Sequence, residues 1–274
     1  MKCIFNGEIV DSSQVALPIN DLAVLRGYGI FDFFRLSDGV PLFIDDHLDR
    51  FYKSAQIARL SINQSQDVLK ALIIELTKVN QMPVSGIRLV LTGGTGAGAY
   101  AIGEPNLIVT QEPIKFPADA MYTKGVKLIT HEYLRDIPEV KTINYMTGIW
   151  LQQKIDEAQA FDVLYHYKGL VHELTRSNVF IINSEHQIIT PGEQVLLGVT
   201  RKHLLAALKG EFHVEERKVT LEELRTAKEI FITGTTKKVL PICQIDEVIY
   251  EIGEVTRKAQ TLFQTLEQKY IGSH

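Results

Sequence analysis

The chain has 274 residues, 45% of them apolar and 23% charged, with a formal net charge of −4 at pH 7. That length suffices for one large core or two ordinary ones, and the acidic balance supplies no basic face for a nucleic-acid partner. Cys3 and Cys243 stand in no metal or redox spacing, no apolar run is long enough to span a bilayer, and Met1–Glu8 lacks a signal-peptide core; the expected setting is reducing and cytoplasmic.

In chain order, Asp45 is placed to cap a helix whose Leu48, Phe51, Ala55 and Ala58 share one face and which ends near Leu60. Ser65 starts a second, with Leu69, Leu72, Leu76 and Val79 as its apolar stripe. Alternation predicts strands at Gly86–Leu91 and Asn106–Thr110. Pro113, Pro117, Ala118 and Asp119 interrupt the periodicity, so residues 116–124 read as a linker. A second α/β stretch follows: a strand at Gly125–Thr130, a helix from Asn144 to Ala160, and strands flanking a Lys168-Gly169 hairpin turn. Val179–Ile182 is a further strand, and Thr200 opens a helix through Leu208. Thr220 and Glu223 match a capping box, Glu229–Thr233 is a short strand, and Val255, Ala259, Leu262 and Leu266 line a closing helix. The expected fold is mixed α/β in two domains, 1–115 and 125–274, with Lys141 in the second and the chemistry in a crevice between them.

Four features carry that chemistry. Lys141 is an isolated amine beside small and polar residues; lowered in pKa by burial or a cationic neighbour, it can attack an aldehyde. Glu173 is a carboxylate able to keep a pyridine nitrogen protonated, which glutamine could not do. Thr200 lies behind Gly198 at a helix N-terminus, where free N–H groups and a hydroxyl suit a phosphate. Thr235 and Thr236 offer hydroxyls in a Gly-containing turn, and Arg50 can add a bidentate contact. Amine, carboxylate and hydroxyl-rich turns are the parts that hold pyridoxal phosphate. Gly93–Gly98 fits neither dinucleotide nor P-loop spacing and reads as a loop bordering a pocket. The eight histidines show no ligand spacing, so no metal is expected.

Taken in order, these pieces resemble the fold-type IV pyridoxal-phosphate enzymes: branched-chain aminotransferases, D-amino-acid aminotransferases and aminodeoxychorismate lyase. The resemblance is carried by Arg26–Asp32, Asp46–Phe51, Lys141 before Asn144-Tyr145, Glu173 before Ser177-Asn178-Val179, Leu197–Arg201, and Thr235-Thr236. It implies a two-domain homodimer with the cofactor at the domain interface. Lys141 would be the Schiff-base lysine and proton carrier, and Glu173 the partner of the pyridine nitrogen. Arg50, Val199, Thr200, Thr235 and Thr236 would bind phosphate, Tyr145 would flank the ring, and Ser177 and Asn178 would complete the cofactor site.

The chain departs from the family's patterns at three points. Phe33 stands where lyase members carry threonine, and Gly93 where many D-amino-acid aminotransferases carry a carboxylate-gripping arginine; Leu174-Thr175-Arg176 replaces a small-residue turn. Arg176 is accordingly expected to hold the substrate carboxylate, assisted by Arg26, with Phe31 shaping the pocket. The expected activity is amino transfer between a branched-chain or D-amino acid and a 2-keto acid, the alternative being the lyase reaction with pyruvate release.

Overall fold

The computed structural model describes all 274 residues. They form two compact units, one of Met1–Ile114, Val140–Asn144 and Tyr270–His274, the other of Lys115–Glu139 and Tyr145–Lys269.

The first unit contains β1 (Lys2–Phe5), β2 (Glu8–Asp11), α1 (Leu22–Arg26), β3 (Gly29–Ser37), β4 (Val40–Pro41), α2 (Ile44–Ile57), α3 (Gln66–Asn80), β5 (Ser85–Thr92) and β6 (Leu107–Glu112). Its strands make one antiparallel sheet in the order β2-β1-β6-β5-β3-β4. The period-two alternation of β3 places Ile30, Phe34 and Leu36 in a core with Leu48 and Phe51 of α2 and Leu69, Ile73 and Leu76 of α3. Asp32 falls on that same side of the strand and is fully buried.

Two helix details differ from expectation. Asp45 does not cap α2: the cap position is Phe43, in left-handed conformation, and the Asp45 carboxylate pairs instead with Lys70 Nζ at 2.6 Å. From the first turn it still favours the helix dipole. Ser65 does cap α3, accepting from Val68 N–H, but the buried stripe is Leu69, Ile73 and Leu76, with Val79 exposed.

The segment 140–144 groups with the first unit, not with the C-terminal stretch, because its backbone joins β3. Phe31 N–H donates to Lys141 C=O at 2.9 Å, Ile143 N–H to Gly29 C=O at 3.0 Å, and Ile30 bridges Thr142. Such pairing is long-range and leaves no periodic trace in a five-residue segment.

The second unit contains α4 (Asp119–Lys124), β7 (Val126–Glu132), α5 (Met146–Trp150), α6 (Gln152–Glu157), β8 (Asp162–Tyr167), β9 (Leu170–Leu174), β10 (Ser177–Ile182) and β11 (Ile188–Pro191). Then come α7 (Val199–Leu208), β12 (Val214–Arg217), β13 (Val219–Thr220), α8 (Leu221–Thr226), β14 (Glu229–Gly234), β15 (Lys238–Ile245), β16 (Val248–Ile249) and α9 (Glu254–Gly272), whose residues from Tyr270 on group with the first unit. The strand path β10-β14-β15-β7-β8-β9 closes on itself where Ser177 pairs with Leu174 and Asn178 with Glu173. The linker expected at 116–124 holds α4, whose Met121 and Tyr122 pack on this unit's core. The single helix expected over 144–160 is two short ones that meet at Leu151. Lys168 and Gly169, both at positive φ, turn β8 into β9, and the Thr220–Glu223 capping box is formed in full.

Leu48 is fully buried between α2 and the sheet. Leu48→Ala should lower unfolding free energy in urea by about 3 kcal/mol, with secondary structure retained; a loss below about 1 kcal/mol would contradict that packing.

Candidate active site

In the first unit, the backbone pairing with β3 fixes where Lys141 starts, and its Nζ lies 4.4 Å from the centre of the Phe31 ring. Phe31 and Phe33 occupy the face of β3 opposite the core, and the guanidinium of Arg88 on β5 stands over both rings, 5.8 and 5.0 Å from their centres. Arg88 also closes a bidentate pair with Glu112.

On the core side of β3, Arg50 reaches down from α2. Its Nε and Nη2 each donate to an oxygen of Asp32 at 2.8 Å, and His47 Nδ1 meets Asp32 Oδ1 at 2.7 Å. Burial alone would raise the Asp32 pKa; Arg50 and His47 outweigh it and hold the carboxyl far below the usual range. Burial pushes the His47 pKa down despite Asp32, and because an ionised carboxylate can only accept, the proton of this contact sits on Nδ1. Arg50 Nη1 takes no part in this network. Arg26 is exposed at the end of α1, over the ring of the equally exposed Tyr100. The glycine-rich loop is folded on its own backbone: Thr95 bridges Glu104, and a Cβ on Gly94 or Gly103 would strike main-chain atoms. Its glycines answer that close approach.

In the second unit, the register of β9 against β10 sets Glu173 beside Asn178, and Asn178 is in turn opposite Thr233 of β14. The Glu173 carboxylate is buried. Arg135 donates to Oε1 from Nε at 2.7 Å and Nη2 at 2.6 Å, and Leu196 N–H donates to Oε2 at 3.0 Å. Arg135 is itself oriented by the Pro138 carbonyl. All these partners of the carboxylate are donors, as an anion requires.

Asn178 donates to Leu196 C=O at 2.7 Å, and a Cβ on Gly198 would collide with its Oδ1. Gly198 is the cap residue of α7, no side chain caps that helix, and Val199 and Thr200 open it. Thr235 and Thr236 follow β14 in the turn that begins at Gly234. The hydroxyls of Ser177 and Thr233 are buried without hydrogen-bond partners. Tyr145 precedes α5, and Arg176 is exposed on the turn joining β9 to β10.

These residues fit pyridoxal phosphate. In the second unit, unpartnered buried hydroxyls and an uncapped helix start admitting no Cβ at Gly198 make a cradle for an anion, beside a strand register that buries the Glu173 carboxylate. The comparison with known proteins agrees. Residues 29–245 match the family model "Amino-transferase class IV". The D-alanine aminotransferase of Bacillus licheniformis is 31% identical, over 96% of this chain and 96% of its own.

The chain belongs to the class IV aminotransferases.

It is therefore a pyridoxal-phosphate-dependent transaminase. Its fold is that of solved family members. The Escherichia coli branched-chain amino acid aminotransferase superposes with a TM-score of 0.89 at 22% identity, covering 97% of this chain and 94% of that one. The branched-chain aminotransferase of the archaeon Thermoproteus uzoniensis, solved with norvaline, gives 0.87 at 20% identity, covering 99% and 97%.

Two partners of candidate residues were not singled out in the sequence: Arg135, which pairs with Glu173, and the Asp32–His47 pair, which holds Arg50. Arg135 has no local signature; only the fold brings it to Glu173. Asp32 and His47 stand in quoted motifs, but a buried acid looks like any other acid in a sequence.

Because the Asp32 carboxylate is favoured in the folded state, its contribution is complete above the ordinary value of 3.8 and is lost as pH falls through the depressed one. Asp32→Asn should cost about 3 kcal/mol at pH 7. The gap to wild type should narrow steadily below about pH 4; a gap that stays constant from pH 7 to pH 3 in denaturant melts would refute the charge assignment.

Proposed function

We propose that this transaminase moves the amino group of a D-amino acid or a branched-chain amino acid to a 2-keto acid. The observation that carries the reading is the buried Glu173 carboxylate, held on both oxygens by donors, in a chain that also presents the amine of Lys141. Bound pyridoxal phosphate supplies an aldehyde to take the amino group and a ring to accept electrons as the bond at the substrate α-carbon breaks. Lys141 would hold the aldehyde, and its amine, once displaced by the amino group of the donor, would carry the proton from the substrate α-carbon to the cofactor. Its backbone bonds to β3 limit the arc that the amine sweeps. Glu173 keeps the pyridine nitrogen protonated, and Arg135 and Leu196 N–H prevent the carboxylate from turning away. Arg50, Val199, Thr200, Thr235 and Thr236 take the phosphate, with Ser177 and Asn178 lining the site and Tyr145 beside the ring. Asp32 and His47 fix the angle of Arg50 and leave its Nη1 for that contact.

Arg176 is our candidate for the substrate carboxylate. Its guanidinium is exposed and makes no ion pair, whereas Arg88 is committed to Glu112 and Arg26 stacks on Tyr100. Phe31 and Phe33 shape the side-chain pocket. A homodimer is supported by α5, where Met146, Ile149 and Trp150 are 71–77% exposed, an apolar surface that a second copy would cover. A cytoplasmic location accords with two free cysteines and with the absence of any helix long and apolar enough to cross a membrane.

A panel of L- and D-amino acids against pyruvate and 2-oxoglutarate tests the reading, with hydride trapping and peptide mapping to locate the cofactor. Label on Lys141 and keto acid formed from D-alanine or L-leucine are expected. Pyruvate released from aminodeoxychorismate without a second keto acid would assign the lyase reaction instead. Lys141→Ala should reduce turnover about 10³-fold. Arg176→Ala should raise KM for the amino donor at least about tenfold, the worth of one charge-assisted bond; an unchanged KM removes Arg176 from the substrate site.

A further inference from the structure

The turn assigned to phosphate, Gly234-Thr235-Thr236, runs directly into a lysine that the chemistry above does not use. Lys237 is 95% buried, which is rare for an ammonium without a counter-charge. Its Nζ lies 4.0 Å from Oδ2 of Asp162, the first residue of β8, and that oxygen is buried without a hydrogen bond. The other oxygen of Asp162 accepts from Val163 N–H and from Thr175 Oγ1, both at 2.9 Å. Thr175 sits in the β9–β10 turn, two residues after Glu173 and one before Arg176, with its hydroxyl 3.4 Å from that of Tyr165. The two turns also touch: a Cβ on Gly234 would meet Arg176 C=O at 3.1 Å, Ser177 Oγ at 3.3 Å and Lys237 Cδ at 3.5 Å.

We propose that Lys237 and Asp162 form a positioning clasp that holds the 234–237 turn against the turn carrying Thr175 and Arg176, so that the cofactor phosphate meets a preset anchor. The inference rests on the pyridoxal-phosphate reading above. A buried ion pair is often no more stabilising than an apolar pair of the same size, so stability alone does not account for placing two opposite charges there. What the pair adds is a charge attraction across the two turns. Lys237 stands next in the chain to Thr236, and Asp162 binds the opposite turn through Thr175, so one carboxylate ties both. The ammonium also adds positive charge beside a turn assigned to a dianion.

The test compares the holoenzyme with Lys237→Met, Lys237→Arg and the charge-free double variant Asp162→Leu/Lys237→Met. The readouts are the dissociation rate of pyridoxal phosphate, its affinity relative to pyridoxal lacking the phosphate, and the melting temperature. Lys237→Met should release pyridoxal phosphate at least tenfold faster and weaken its binding at least tenfold, while pyridoxal binding changes less than threefold. Lys237→Arg should recover most of the loss. The double variant should melt near wild type yet keep the tenfold defect, which separates positioning from folding. Retention of pyridoxal phosphate within twofold of wild type in the double variant overturns the clasp, as does equal loss of both ligands. If wild type binds no pyridoxal phosphate at all, the cofactor reading fails first and this inference with it; wild type that holds the cofactor beside a variant that holds it equally well sinks the clasp alone.

Discussion

Two residue pairs close the strand ring of the second unit: Leu174 with Ser177 and Glu173 with Asn178. A closed ladder has no free edge at that point, so both strands must keep this register or lose their hydrogen bonds. A slip of one residue would turn Glu173 to the other face. The same register sets Asn178 opposite Thr233, and so lines up the strand that ends at Gly234. The carboxylate, the asparagine beside Gly198 and the threonine turn thus descend from one short antiparallel contact.

In each unit, buried charge occurs in small sets whose members answer one another. Asp32 meets Arg50 and His47; Glu173 meets Arg135 and a backbone amide; Asp162 faces Lys237. Each acid would be costly to bury alone, and each is held by donors at defined angles. The arrangement restricts rotation of Arg50 and Glu173, the two groups proposed above to meet the phosphate and the pyridine nitrogen. Restricting them before binding avoids an ordering cost when the cofactor arrives.

The two faces of β3 divide structure from chemistry. Ile30, Phe34 and Leu36 secure the strand to α2 and α3, while Phe31 and Phe33 present rings to the opposite side, where Lys141 and Arg88 lie. Lys141 depends on this strand twice, through its carbonyl and through the ring beneath its amine. A substitution in the core of the first unit therefore bears on the lysine by moving its anchor.

Local signals in the sequence determined the elements that depend on near neighbours. The Ser65 cap, the Thr220–Glu223 capping box, the Lys168-Gly169 turn and most strands follow from side chains a few residues apart. Lys141, Glu173 and the threonine turn were legible as candidates because their chemistry is uncommon in combination. Only tertiary structure decided that Asp45 serves Lys70, that residues 144–160 break at Leu151, and that residues 140–144 pair with β3. It alone brought Arg135 to Glu173 and Lys237 to Asp162, partners 38 and 75 residues apart in the chain. Pairing over such distances is set by strand register and burial, and neither leaves a mark in any short window of residues.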